Sequence, residues 1–135
     1  MNSRIKMFLI CFASLCLGSA VYILSRPDVY ISKFVLQMLN VKEYTGIFPS
    51  FVSFYIPDFL WATSLCSGLF AVYPLKAKKS LIWGIITFLY GALWEFFQAV
   101  SIVSGTADII DVILYLTAAV VVVAINYYLK KREEK

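Results

Sequence analysis

Four apolar runs separated by short polar punctuation dominate the chain, at residues 7–25, 58–75, 81–103 and 109–129. A hydrocarbon core of roughly 30 Å needs about 20 apolar residues per helix, and each run comes close to that length. With 61% of 135 residues hydrophobic and only 15% charged, the chain has too little polar surface to clothe a water-soluble domain of this size. The expected fold is therefore all-α: an integral membrane bundle of four transmembrane helices, one domain over residues 1–135, with an outer loop at 26–57. Ser14 and Gly18, and Ser64 and Gly68, stand four apart within the runs, a spacing that lets membrane helices pack closely.

Residues 1–20 also admit a rival reading as a secretory signal peptide. Arg4 and Lys6 supply a charged start, residues 7–17 an apolar stretch, and Gly18-x-Ala20 a small-residue cleavage signal. The apolar run continues through Val21 to Leu24, which favours an uncleaved helix. Orientation follows from the basic residues. Arg4, Lys6, Lys76, Lys78, Lys79, Lys130, Lys131, Arg132 and Lys135 flank one side of the spans, against Arg26, Lys33 and Lys42 on the other. The positive-inside rule then places both termini and the 76–79 loop in the cytoplasm. The net charge of +4 is a topology signal with some attraction to anionic lipid, and no basic face interleaved with stacking aromatics points to nucleic acid.

The outer segment begins with a short amphipathic stretch. Tyr30, Ile31, Phe34, Val35, Met38 and Leu39 recur at helical spacing, with Ser32, Lys33, Gln37 and Asn40 opposite, and Pro27 suits the first helical turn. This predicts a short helix lying in the membrane interface. Residues 43–58 carry Gly46, Pro49 and Pro57 among several aromatics, which predicts irregular backbone over the outer end of the bundle, a lid or a passive anchor.

Most site chemistry can be set aside. Cys11, Cys16 and Cys66 are odd in number, lie within spans and lack zinc-site spacing, so they read as small apolar residues. The chain has no histidine, which removes the usual neutral-pH proton shuttle and the Ser-His and Cys-His nucleophile pairs. No catalytic residue, cofactor or metal is expected.

The remaining signal is acidic. Gly84, Phe88, Gly91, Glu95, Gln98 and Ile102 follow one another by three or four residues, which stacks them on one helix face. Entering from the cytoplasm at Leu81, this helix carries Glu95 about 21 Å along its axis, within the outer half of the bilayer. Asp58 opens the second span, and Asp108 and Asp111 open the fourth, all on the outer side. Asp58, Glu95, Gln98, Asp108 and Asp111 are thus candidate ligand-binding residues at one depth. A carboxylate in hydrocarbon is costly unless it faces protein or water, so Glu95 is expected to point inward. Asp108 and Asp111 have a plainer reading as well, because acidic side chains in a first turn meet the helix dipole and satisfy free backbone donors. Arg26 and Lys33 are the basic residues placed to lean toward these acids.

At these residues the chain resembles the VanZ-like bacterial membrane proteins. The pattern is Glu95, Gln98, a turn with Gly105, then Asp111, with Asp58 ahead of an earlier span, over roughly residues 58–120. Thr106 stands where the family usually carries arginine, Tyr115 where it carries asparagine, and Ala118 where it carries glycine. The arginine is the natural partner of the acids. The resemblance implies a multi-pass protein of the bacterial cytoplasmic membrane linked to the cell envelope, some relatives being associated with resistance to lipid-tailed glycopeptide antibiotics.

Three functions follow as expectations. The first is an envelope-associated protein holding a lipid headgroup, a lipid-linked envelope precursor or a lipoglycopeptide in an outward acidic pocket, with membrane lipids as partners. The second is a scaffold or accessory subunit, working as a homo-oligomer or with a membrane partner protein, whose polar groups only lock helices together. The third is a small proton-coupled transporter or enzyme built on Glu95, disfavoured by the missing histidine and arginine.

Overall fold

The computed structural model describes residues 2–41, 48–74 and 79–133, which form five helices and no strand. They are α1 (Ser3–Ser25), α2 (Tyr30–Met38), α3 (Ser50–Val72), α4 (Leu81–Ala99) and α5 (Ile109–Glu133). All but α2 are long and apolar enough to cross a membrane. The Gly46 turn and Lys42, Lys76, Lys78 and Lys135 of the charge count lie outside the described residues.

The bundle buries many polar side chains and turns most of its large apolar ones outward. Ser14, Ser53, Thr63, Ser64, Ser67, Thr87 and Asn126 are buried, whereas Phe8, Phe12, Leu15, Ile82, Leu89 and Leu116 are exposed. In water such an arrangement forfeits the hydrophobic stabilisation that normally drives folding; in hydrocarbon only packing and polar contacts distinguish the two sides. The small-residue pairs seat α1 on α3. A Cβ added to Gly18 would lie 3.0 Å from the Trp61 ring, and the Ser64 hydroxyl donates to the Cys11 carbonyl at 3.0 Å. Met7, Cys66, Phe70 and Val122 close the core toward one end, and Ala62, Tyr115 and Ala118 close it toward the other.

The chain ends meet at the first of these ends. The Ser3 N–H donates to the Glu133 carboxylate, and Arg4 Nε donates to the Ala71 carbonyl at the end of α3 (3.1 Å). Nearby, Asn126 Nδ2 donates to Ser80 Oγ at 3.0 Å, tying α5 to the start of α4. Connections are less even. α3 packs extensively on α1 and α5, and α4 on α5, but α3 and α4 touch only sparsely.

Three local expectations change. Helix α3 begins at Ser50, eight residues before Asp58, so residues 50–57 are helical and not irregular, with Pro57 inside the helix. Proline forgoes one backbone bond there, a loss membrane helices tolerate. Ser53 Oγ also stitches the first turn by donating to the Phe48 and Pro49 carbonyls. Helix α4 stops at Ala99, short of Val103, because the Ser101 and Ile102 N–H groups bond back to Gln98 and Phe97 in a Schellman closure, with Ser101 at φ 58°. Ile102 consequently leaves the inward face of α4 and is exposed. Helix α2 starts at Tyr30, buries Ser32 and Leu36, and leaves Tyr30, Ile31, Phe34, Met38 and Leu39 exposed.

Candidate functional site

Away from the chain ends, α1, α3, α4, α5 and the α4–α5 loop enclose a chamber of about 510 Å³. Asp58, Glu95, Gln98, Asp108 and Asp111 all line it, so the five candidates from three spans do come together. Arg26 joins them from the end of α1, and six rings, Tyr22, Phe54, Tyr55, Trp61, Trp94 and Tyr115, complete the wall.

Glu95 is the innermost acid, 5% exposed. Its Oε2 accepts the Asp108 N–H at 2.9 Å and its Oε1 accepts the Tyr115 hydroxyl at 3.2 Å. A buried carboxylate is tolerable only with such partners. The helix faces make room for the second of them: Gly91 lies one turn before Glu95, and a Cβ there would lie 2.3 Å from Tyr115 Cδ2. Tyr115 in turn follows Asp111 by four residues on α5, so one face of that helix presents both groups to the chamber.

The two aspartates of α5 divide their work. Asp108 is the N-cap, its Oδ1 accepting the Ile110 N–H at 2.8 Å while Oδ2 accepts the Tyr55 hydroxyl at 3.0 Å. Asp111 does not cap. Its Oδ1 is buried and has no hydrogen-bond partner. A free acceptor of this kind in a polar chamber is the feature a donor on a ligand would satisfy.

Gln98 holds the loop. With its amide turned to suit both neighbours, its nitrogen donates to the Thr106 carbonyl (3.2 Å) and its oxygen accepts from Trp94 Nε1 (3.0 Å). Gly105 passes beside it at φ +143°, and an added Cβ would sit 2.5 Å from the Gln98 amide, so both the backbone conformation and the space require glycine.

Positive charge enters from α1. The Arg26 guanidinium lies 5.1 Å from the Tyr22 ring centre and 4.7 Å from that of Phe54, a cation–π seat within the chamber wall. Lys33 turns away instead and faces the exposed Asp28 at 3.9 Å. Four carboxylates against one guanidinium leave the chamber formally negative, suited to attract amines and hydroxyl-rich groups and to repel free phosphate. Among the described residues no three His, Cys, Asp or Glu side chains converge to hold a metal ion.

Sequence reasoning overlooked Tyr55, Tyr115 and the two tryptophans. Spacing carried a usable signal for Tyr115, four residues from Asp111; nothing in the sequence pairs Tyr55 with Asp108, which is a contact between distant helices. Comparisons with known protein families, with characterised proteins and with solved structures returned no match.

Proposed function

We propose that the chain is a VanZ-like multi-pass protein of the bacterial cytoplasmic membrane, both termini cytoplasmic, whose acidic chamber opens to the outer leaflet and binds the headgroup of a membrane lipid or lipid-linked envelope component. The observation that carries this is the convergence of Asp58, Glu95, Gln98, Asp108 and Asp111 on one chamber, with the buried Asp111 Oδ1 left unpartnered. Two further features support it. Arg26 brings into the chamber the positive charge that the family resemblance lacks at Thr106. The exposed apolar face of α2 suits a helix resting among headgroups.

A second reading has its own observation. Glu95 and Asp108 spend their hydrogen bonds on α4, α5 and Tyr55, which is what a scaffold locking its helices together requires. Coupling between phenotype and abundance separates the two. Purified in mild detergent, the wild type should carry a co-purifying lipid detectable by native mass spectrometry. Asp111→Asn should lose that lipid, and with it any sensitivity phenotype toward lipid-tailed cell-wall antibiotics, at undiminished membrane abundance. A phenotype lost only when abundance falls would establish the scaffold instead.

A further inference from the structure

The chamber shares a wall with a neighbouring cavity. Asp58, Trp61, Trp94 and Tyr115 also line a second cavity of about 400 Å³, which runs between α3 and α4 where those helices touch only sparsely. Its other walls are apolar apart from the hydroxyls of Thr87 and Tyr90, with Leu65 and Tyr90 at the rim exposed to the surroundings of the bundle. A polar chamber set beside an apolar lateral groove, the two sharing four wall residues, has the outline of an amphiphile. Thr87 adds an independent mark: the side chain is 1% exposed, lines the groove, and its Oγ1 has no oxygen or nitrogen partner, the soft Cys66 thiol being its polar neighbour. Thr87 stands eight residues before Glu95, about 12 Å along α4 from the acids toward the other end of the helix.

Resting on the chamber reading above, we infer that the occupant is an amine-headed lipid that enters sideways between α3 and α4, its ammonium group among Asp58, Asp111 and the tryptophan rings and one acyl chain along the groove beside Leu65. The excess of acids over Arg26 selects the amine, because a headgroup bearing only phosphate meets net repulsion. The faces of Trp61 and Trp94 add cation–π attraction for the same charge. Arg26 is placed to receive the phosphate of a zwitterionic head, and the Thr87 hydroxyl to donate to an ester or amide carbonyl of the chain.

Native mass spectrometry of the detergent-purified protein, titrated with single-chain lysophosphatidylethanolamine and with lysophosphatidylglycerol of the same chain, tests both halves. The ethanolamine lipid should bind about tenfold more tightly, as expected for one retained charge interaction. Equal affinity would overturn the amine assignment. Leu65→Trp, which fills the groove from its exposed rim, should weaken ethanolamine-lipid binding about tenfold, and the near-isosteric Thr87→Val should weaken it a few fold. Binding that survives both substitutions but is lost in Asp111→Asn would overturn the groove as the chain's path while leaving the chamber intact. Indifference to Asp111→Asn as well would overturn the chamber reading itself. Should Leu65→Trp fail to fold, a lysophosphatidylethanolamine carrying a diazirine at mid-chain decides the question in the wild type. Crosslinks to Leu65 or Tyr90 support the groove, and crosslinks confined to α1 or α5 refute it.

Discussion

Replacing Glu95 tests the central hydrogen-bond arrangement directly. Leucine removes both acceptors and strands two donors, the Asp108 N–H and the Tyr115 hydroxyl, in a site only 5% exposed at Glu95 itself. An unsatisfied buried donor costs about 1–3 kcal/mol, and the half-buried setting of Asp108 argues for the lower part of that range, so Glu95→Leu should destabilise by about 2–4 kcal/mol in all. Glutamine behaves differently. Its oxygen can accept the Asp108 N–H, and its nitrogen can donate to the Tyr115 oxygen once the phenol proton rotates away, so Glu95→Gln should cost less than about 1 kcal/mol. Unfolding in mixed detergent micelles, followed by circular dichroism, gives both differences against the wild type. Equal stability of all three proteins would show that Glu95 is not held by these donors, and a leucine variant as stable as glutamine would refute the reasoning at its root.

Tyr115→Phe should cost about 0.5–1.5 kcal/mol, and much less in a Glu95→Leu background, a non-additivity that a double-mutant cycle measures. Gly91→Ala should destabilise by about 1–3 kcal/mol in the same unfolding assay, because the new Cβ forces the Tyr115 ring off its seat. Gly105→Ala should cost a similar amount, about 1–3 kcal/mol, through its φ of +143° and its collision with Gln98. Single cysteines at Lys79 and Ala107 in a cysteine-free background report orientation: an impermeant thiol reagent on intact cells should label the Ala107 site and spare the Lys79 site, and the reverse pattern would invert the proposed topology.

The long helices were legible because a span of hydrocarbon asks for one simple thing, an apolar run of sufficient length, and α1 and α5 have the highest mean hydropathy of the four, 2.3 and 2.4, despite Asp111 in the latter. Their ends were less so. Pro57 and Pro49 read as breakers in the stretch before Asp58, yet α3 runs through Pro57, since one forgone backbone bond inside a bundle is tolerated, and Ser53 Oγ secures the first turn through the Phe48 and Pro49 carbonyls, a contact that no local propensity records. The stop of α4 at Ala99 turns on Ser101 adopting a left-handed conformation, where glycine is the usual sign and serine gives none.

The acids illustrate a different limit. Position in a helix could not separate Asp108 from Asp111, because both stand at the start of α5, where capping and ligand binding favour the same residue type. Geometry separates them: Asp108 accepts from Ile110 and Tyr55, whereas the Oδ1 of Asp111 is buried and unpartnered. Capping therefore accounts for Asp108 without any ligand, and it does not account for Asp111. The same logic distinguishes Arg26 from Lys33, two cations of the outer segment with equal claims by sequence. Lys33 lies on a helix face turned outward toward Asp28, while Arg26 ends α1 where its planar guanidinium can lie across Tyr22 and Phe54 and remain at the chamber wall. Substituting Arg26 should thus alter which headgroups bind, and substituting Lys33 should not.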